Sequence, residues 1–422
     1  MVALQKRDGF PLRNLLAVVK TKSVIVVGGG IAGLGVARGL VRRGFAVTVI
    51  ERGTVGGGAT WGSAGWICPA QAGPLPEPAA IRYGLRSVFD RRSALYVDPR
   101  RLPGMVPWLL RFARAATAER HAAGVRTLAA LGKRAFALVD ELAAEGASLR
   151  TYKQGVVIAA AREQPVRDFL HSMAPARACG LDVPTALLVG DALREFEPAL
   201  SPALRYGAFL AENWHVDSAE LAAAIADLLR GAGVTIEEHS DVLEILDRGV
   251  RTESSVVEAD AVVLAAGAWS PRLLQMPVLG GKGYSFTVRP TVMPAHALLF
   301  VETHVVCSPL SDTLAGRGRD GVQRALFSRR SASRRVDQGE SAIADRVGTE
   351  SSTWAGLRPV APDGMPVVGR WPARGNLYVA TGYSMFGITL GLPLGEALAA
   401  VITGGEDDPE LASLSPGRFA HR

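Results

Sequence analysis

Residues 23–52 read SVIVVGGGIAGLGVARGLVRRGFAVTVIER. The run 23–27 is mostly β-branched and ends in glycine, the pattern of a parallel strand buried on both faces. Gly28, Gly30 and Gly33 follow at the spacing G-x-G-x-x-G. Ile31, Leu34, Val36, Ala37, Leu40 and Val41 then recur at helical spacing until Gly44 stops the helix. A second strand over 46–50 ends at Glu51. Each part has a physical task. Gly28 permits a tight turn, Gly30 lets a pyrophosphate approach the backbone, and Gly33 lets helix pack close to strand. The helix N-terminus offers N–H groups and partial positive charge to phosphates. Glu51 can accept hydrogen bonds from ribose hydroxyls and would repel a 2′-phosphate, which argues against NADP. Strand, glycines, helix, strand and acid appear in order, so the stretch predicts a dinucleotide site. It does not separate FAD from NAD.

A chain of 422 residues is long enough for two domains. Its 48% apolar and 21% charged residues exclude a disordered chain. Cys68, Cys179 and Cys307 are each more than a hundred residues from the next, so neither a disulfide framework nor a zinc site is expected. That usage points to a reducing compartment, and we expect the cytoplasm. Residues 1–22 contain the apolar run LLAVV, too short for a signal sequence or a bilayer span, and read as an N-terminal extension.

The net charge of +7 is concentrated in one place. Residues 315–335, AGRGRDGVQRALFSRRSASRR, hold seven arginines and one acid, leaving the remainder nearly neutral. No aromatic–basic interleaving or helix-turn-helix accompanies them, so no nucleic-acid partner is expected. The stretch lacks the alternation of a strand, and its composition is what a GC-rich gene yields when read out of frame. We expect an out-of-frame segment here, ahead of a basic loop touching anionic lipid.

Small residues continue through GGGATWGSAGWICPAQAGPLPEP at 56–78, where backbone can run flat against a flat ligand. Two helices are predicted over 104–145, and strands over 155–161 and 204–210. A helix from 218 to 229 leads into a strand at 234–237, and VVEADAVVLAAGAWS at 256–270 reads as a strand pair returning to the nucleotide sheet. Trp66, Trp214 and His215 are candidates to face the pocket, but such positions are more often core or loop, and they stay outside the expected site. Near the C-terminus, NLYVATGYSMFGITLGLPLGEALAAVI at 376–402 predicts strand, glycine-rich turn and helix, with Pro393 in the first turn. This second helix N-terminus can face developing negative charge, which fits reduced flavin and favours FAD over NAD.

These motifs carry a resemblance. GGGIAG with Glu51, ATWGSAGWICPAQAGPLPEP, and GLRPVAPDGMPVVGR with TGYSMFG resemble those of D-amino-acid dehydrogenases in the FAD-dependent D-amino-acid oxidase superfamily, which includes glycine and sarcosine oxidases. The likeness covers residues 23–314 and 352–405. It implies an α/β fold: a Rossmann-type FAD-binding domain (23–100, 212–275 and 352–422) interleaved with a smaller mixed-sheet α+β substrate domain (101–211 and 276–351). It further implies hydride transfer from the amine carbon to flavin N5, with no strong protein base. Arg358 matches the arginine that binds the substrate carboxylate, a role suited to a planar fork. Tyr284 matches a tyrosine facing the flavin. Tyr383 stands where the family often has histidine, so pocket polarity differs. In place of Ser-x-x-Asn-Ala-Gly the chain has Thr60, Ser63, Ala64 and Gly65.

FAD contacts are accordingly expected at Gly28, Gly30, Ile31, Ala32, Gly33, Glu51, Arg52, Thr60, Ser63, Ala64, Gly65, Val242, Gly267, Gly382, Ser384, Met385, Phe386, Gly387 and Ile388. The catalytic set is Arg358, Tyr284 and Tyr383, and no metal is expected. The implied function is oxidative deamination of D-amino acids to 2-oxo acid and ammonia. A glycine- or sarcosine-type amine oxidase and a catalytically weak flavin-binding subunit stay open beside it. The acceptor is quinone or oxygen, with peripheral contact at the inner face of the plasma membrane as a companion expectation.

Overall fold

The computed structural model describes residues 22–78, 81, 100–290, 292–311, 313–322, 352–404 and 409–419. The N-terminal extension up to residue 21, and the basic segment from 323 onward, lie outside the described residues.

The opening motif builds the centre of a six-stranded sheet. Ser23–Val27 lies between Ala46–Ile50 and Ala261–Leu264, parallel to both. Thr235–Glu237 and Leu377–Thr381 extend the sheet in parallel on either side, and antiparallel Val367–Arg370 closes one edge. Both faces are covered, which is why the central strand carries no polar alternation. Val24 and Val26 pack under helices, whereas Ile25 and Val27 pack under an antiparallel layer formed by Val242–Leu246, Gly249–Thr252 and Val256–Val257. The expected 256–270 strand pair is therefore divided: its first strand joins this small layer and its second the parallel sheet.

On the helical face, Ile31–Val41 and Gly387–Ile402 run side by side with their backbones in contact. A methyl group on Gly35 would lie 2.3 Å from the Gly391 carbonyl oxygen, and one on Gly395 would lie 2.3 Å from the Gly35 carbonyl carbon. Gly387 lies against Ile31, so both helix N-termini reach the same end of the sheet. Pro393 sits inside the second helix rather than in its first turn. The helix starts earlier than its proline suggested, because the burial of nearly its whole first three turns outweighs the one backbone bond that proline removes.

At the opposite end a charge cluster ties these helices to the long helix Ala118–Ala144. The Arg38 guanidinium is 4% exposed; its Nη2 lies 2.6 Å from Glu145 and 3.1 Å from Glu141, and its Nη1 lies 3.2 Å from Glu396. Arg42 and Arg43 complete the set on Glu141 and Glu396. The hydrogen bond from Arg38 holds the Glu141 carboxyl below its ordinary range. A depressed carboxyl stabilises the fold above its unfolded pKa, and that contribution is lost as pH falls through the folded one. Glu141→Gln should therefore lower thermal stability near neutrality. With Glu141 43% exposed, water limits the effect to about 1 kcal/mol. The wild-type and variant melting curves, recorded across acid pH, should converge below the carboxylate range.

The second sheet has eight strands, in the spatial order Ser352–Val360, Leu279–Val288, Thr313–Val322, Val305–Leu310, Ala297–Phe300, Val156–Ala160, Tyr206–Leu210 and Leu188–Val189. Two expectations are corrected here. Residues 315–322 do form a strand, paired to Leu279–Val288 on one side and Val305–Leu310 on the other. Sheet pairing is made by the main chain, and two flanking strands satisfy it whatever the side-chain pattern. Further, Ser352–Val360 was assigned to the nucleotide domain, yet it pairs along Leu279–Val288 in the eight-stranded sheet. A further three-stranded sheet, of Trp66–Ile67, Trp214–Val216 and Thr151–Tyr152, takes its strands from where the chain passes between the two large sheets. Among the described residues no helix is long and apolar enough to cross a membrane.

Candidate active site

A cavity of about 900 Å³ lies between the ends of the parallel strands and the eight-stranded sheet. Val27, Ile50, Ala265 and Thr381 bring four strand C-termini to its wall, where ligands of open parallel sheets bind. Gly28 makes the turn there at φ +112°, and any Cβ would lie 2.5 Å from the Ala265 carbonyl oxygen. Gly33 is not on the wall. It lies beneath it, where a Cβ would be 1.9 Å from the Gly28 carbonyl oxygen, so its task is the close helix–strand approach.

The nucleotide end of the wall is preset by hydrogen bonds. Glu51 accepts from the Gly29 amide at 2.7 Å and the Gly53 amide at 2.8 Å, one on each carboxylate oxygen. Each oxygen keeps a further lone pair for a ribose hydroxyl. Beside it the Arg52 guanidinium lies 4.2 Å over the Trp269 ring, presenting a flat cationic surface. Ile31 donates its amide to Thr60 Oγ at 3.1 Å, which anchors the 53–65 loop across the helix N-terminus. The first helix has no acid in its first turn, and neither does Gly387–Ile402. Two positive dipole ends therefore open on one cavity.

Further along, Thr60, Ser63, Ala64 and Trp66 form one side. Trp66 Nε1 donates to Ser308 Oγ at 2.8 Å, and Ser308 donates to the Ala64 carbonyl at 2.7 Å. This bridge joins the loop to the eight-stranded sheet. Cys68, also on the wall, is buried against Thr389, and burial pushes its thiol up to about 12. It stays a neutral thiol at physiological pH and is no nucleophile.

At the far end, the Ser352–Val360 strand delivers Leu357, Arg358 and Pro359 to the wall. Ser384 donates its amide to the Pro359 carbonyl at 2.9 Å, and Val360 bridges to Tyr383, so the arginine strand is clipped to the glycine-rich turn. Tyr383 and Ser384 are 3% and 7% exposed, and among the described residues their hydroxyls have no hydrogen-bond partner although both residues line the cavity. Burial drives the Tyr383 phenol well above its ordinary range, so it remains protonated and able to donate. Met385, Phe386, Gly387 and Ile388 follow them on the wall, and Phe169, Met173, Leu299, Val301 and Val306, which cluster together, add an apolar stretch to the lining.

Of the residues expected from sequence, Gly28, Gly30, Ile31, Ala32, Glu51, Arg52, Thr60, Ser63, Ala64, Val242, Gly267, Ser384, Met385, Phe386, Gly387, Ile388, Arg358 and Tyr383 share this one wall. Gly33, Gly65, Gly382 and Tyr284 do not. Gly65 packs on Val216, and Gly382 shapes the turn beside Val367. Tyr284 is buried in its strand, paired with Ala355 three positions along from the pair formed by Gly281 and Arg358. Sequence reading weighed Trp66 but left it out of the site, and missed Trp269 and the apolar wall. Trp66 was readable from its place inside the small-residue stretch; Phe169 and Met173 carry no local signal. Trp214 and His215 stay off the wall, with His215 stacked on Tyr152.

A family model described as FAD dependent oxidoreductase matches residues 23–401. The chain belongs to that family. Among relatives, the D-amino acid dehydrogenase of Rhizorhabdus wittichii is 29% identical over 422 aligned residues, covering 94% of this chain and all of the relative. That of Helicobacter pylori is 24% identical, covering 92% and 96%. Among solved structures, glycine oxidase from Geobacillus kaustophilus superposes with a TM-score of 0.72 at 25% identity, covering 94% of this chain and all of that one. The family is FAD-dependent, and the cavity fits the group. The Gly28 cradle and Glu51 suit the dinucleotide half, and the unpartnered Tyr383 and Ser384 hydroxyls suit a polar ring system. FAD bound there supplies a two-electron acceptor.

Proposed function

We propose that this FAD-dependent oxidoreductase oxidises D-amino acids at the amine carbon, the imine then hydrolysing to a 2-oxo acid and ammonia. Arg358 carries the reading. It is the cation that the second sheet places on the wall near the Gly387 helix N-terminus, clipped to Tyr383 and Ser384 through Pro359 and Val360. A guanidinium there can hold a substrate carboxylate through paired hydrogen bonds, fixing the α-carbon at one distance from the ring site. The protonated Tyr383 hydroxyl can donate to the same carboxylate or to the ring, and the apolar residues of the lining can keep water from the reacting carbon. The names of the two dehydrogenase relatives support the same substrate class.

Phe169, Met173, Leu299 and Val301 offer more apolar surface than glycine or alanine can use, so we place the preference among D-amino acids with apolar side chains. Quinone and oxygen remain the acceptors in view. Anaerobic titration of the yellow protein tests the reading. D-leucine and D-phenylalanine should bleach the flavin absorbance, with L-enantiomers inert and glycine and sarcosine slower. A flavin spectrum that none of the D-amino acids bleaches would sink the proposal.

A further inference from the structure

Trp66 is tied to both halves of the molecule at once. Its indole Nε1 donates to Ser308 Oγ at 2.8 Å, and Ser308 donates its one hydrogen to the Ala64 carbonyl at 2.7 Å, so the direction of both bonds is set. The Trp66 carbonyl accepts from Thr389 Oγ1 at 3.0 Å, and Thr389 Oγ1 itself accepts from the Cys68 amide at 3.1 Å. Thr389 lies in the first turn of Gly387–Ile402, and Ser308 lies in the second sheet. Ser308 and Thr389 are wholly buried, so water does not compete for these bonds. Val306 and Ser308, two apart on Val305–Leu310, share one face of the sheet, and Leu299 is the partner of Val306 on the next strand. The bond to Ser308 thus draws the indole to the sheet face that carries Val306 and Leu299. There it joins them, with Phe169, Met173 and Val301, in one apolar cluster, and all six residues line the cavity.

We infer that Trp66 is the residue that selects the substrate side chain, and that Ser308 is the positioning residue that fixes its indole. The inference rests on the amino-acid reading above. With the carboxylate on Arg358 and the α-hydrogen directed at the ring site, the substrate side chain is left to the apolar lining. Met173 can adapt its shape to a ligand, and the aliphatic residues are small. A hydrogen-bonded indole is neither adaptable nor small. It presents a broad flat surface at a fixed place, which rewards side chains long enough to reach it and refuses those that overrun it. Fixed apolar pockets discriminate about 10–200-fold for a difference of one methylene. Loss of the Ser308 hydroxyl would take from the indole N–H and the Ala64 carbonyl the partner they share, and the indole would turn to recover a hydrogen bond.

Dissociation constants of unreactive carboxylates, read from their perturbation of the flavin absorbance in the holoenzyme, test this without turnover. Wild type should bind 3-methylbutanoate and phenylacetate about tenfold or more tightly than acetate, the worth of burying a large apolar group. Trp66→Leu should cut that preference about tenfold and leave acetate within about twofold, because acetate has no atom to reach the indole. Trp66→Phe keeps an aromatic face and should cut the preference about threefold, so the test stays readable if Trp66→Leu fails to hold FAD. Ser308→Ala should also cut it about threefold when Trp66 is present, and leave it unchanged in Trp66→Phe, where no indole N–H needs positioning. The same ordering should appear in KM for D-leucine against D-alanine, with the limiting rate of flavin reduction little changed. Wild type that prefers neither longer acid over acetate would overturn the inference. So would variants of Trp66 that lose affinity for all the acids equally, which is what a mere strut between the sheets would give. A Ser308→Ala effect that persists in Trp66→Phe would remove Ser308 from its positioning role. Failure of the amino-acid reading shows separately, as a holoenzyme that binds these acids yet is bleached by no D-amino acid.

Discussion

Replacing Arg358 with methionine is expected to raise KM for the amino-acid substrate about a hundredfold or more while leaving the flavin spectrum intact. Removing one partner of a hydrogen-bonded charge pair in a partly desolvated site costs on the order of 2–5 kcal/mol, and each 1.4 kcal/mol is a factor of ten. Methionine keeps much of the volume, so the strand and its clip to Tyr383 and Ser384 should persist. On the proposed reading the guanidinium holds a carboxylate that does not react, so most of the loss should fall on KM. Misplacement of the α-carbon should add a smaller loss in the rate of flavin reduction. Arg358→Lys should recover part of the affinity through charge alone, without the paired geometry. Stopped-flow reduction over a range of substrate concentrations separates the two parameters. An unchanged KM would remove Arg358 from the substrate site and with it the main support for an α-amino-acid substrate.

The largest stability effect is expected at Gly35. In Gly35→Val the new side chain begins 2.3 Å from the Gly391 carbonyl oxygen, a backbone atom that no rotamer change can move. Overpacking in a rigid core costs about 3 kcal/mol, and here it also pushes Gly387–Ile402 away from Ile31–Val41. Both helix N-termini would then shift relative to the one cavity they share. The variant should lose FAD on gel filtration and melt well below wild type. Gly104→Ala is the control, since a Cβ there meets no atom within 4 Å. It should melt at or slightly above wild type. Full FAD retention in Gly35→Val would show that the helix pair tolerates separation and that the dipole ends do not need their close pairing.

Both predictions depend on different kinds of information. Gly28, Gly33 and Glu51 were legible because strand, turn and helix follow one another within a single local unit, and each residue's task is set by its near neighbours. The C-terminal glycine-rich turn and its helix were legible for the same reason, apart from Pro393, whose tolerance depends on packing against a distant helix. Arg358 was legible through its motif, but not as part of an edge strand in the second sheet. The strand at 315–322 was illegible because its own side chains do not alternate; its neighbours, Leu279–Val288 and Val305–Leu310, define it. Tyr284 shows the same limit from the other side. Its identity is plain in sequence, yet which face of the sheet it occupies follows from register, and a strand's side chains alternate face at every residue.

The sequence by itself determined the dinucleotide cradle and the family, and singled out Arg358, because these are local patterns with fixed spacing. Only the tertiary structure decided that Trp66, Phe169, Met173, Leu299 and Arg358 share one cavity, and that the Trp66 indole is tied to Ser308 of the second sheet. Those facts are set by strand register and by which helix face finds a partner, and both arise from contacts between residues hundreds of positions apart.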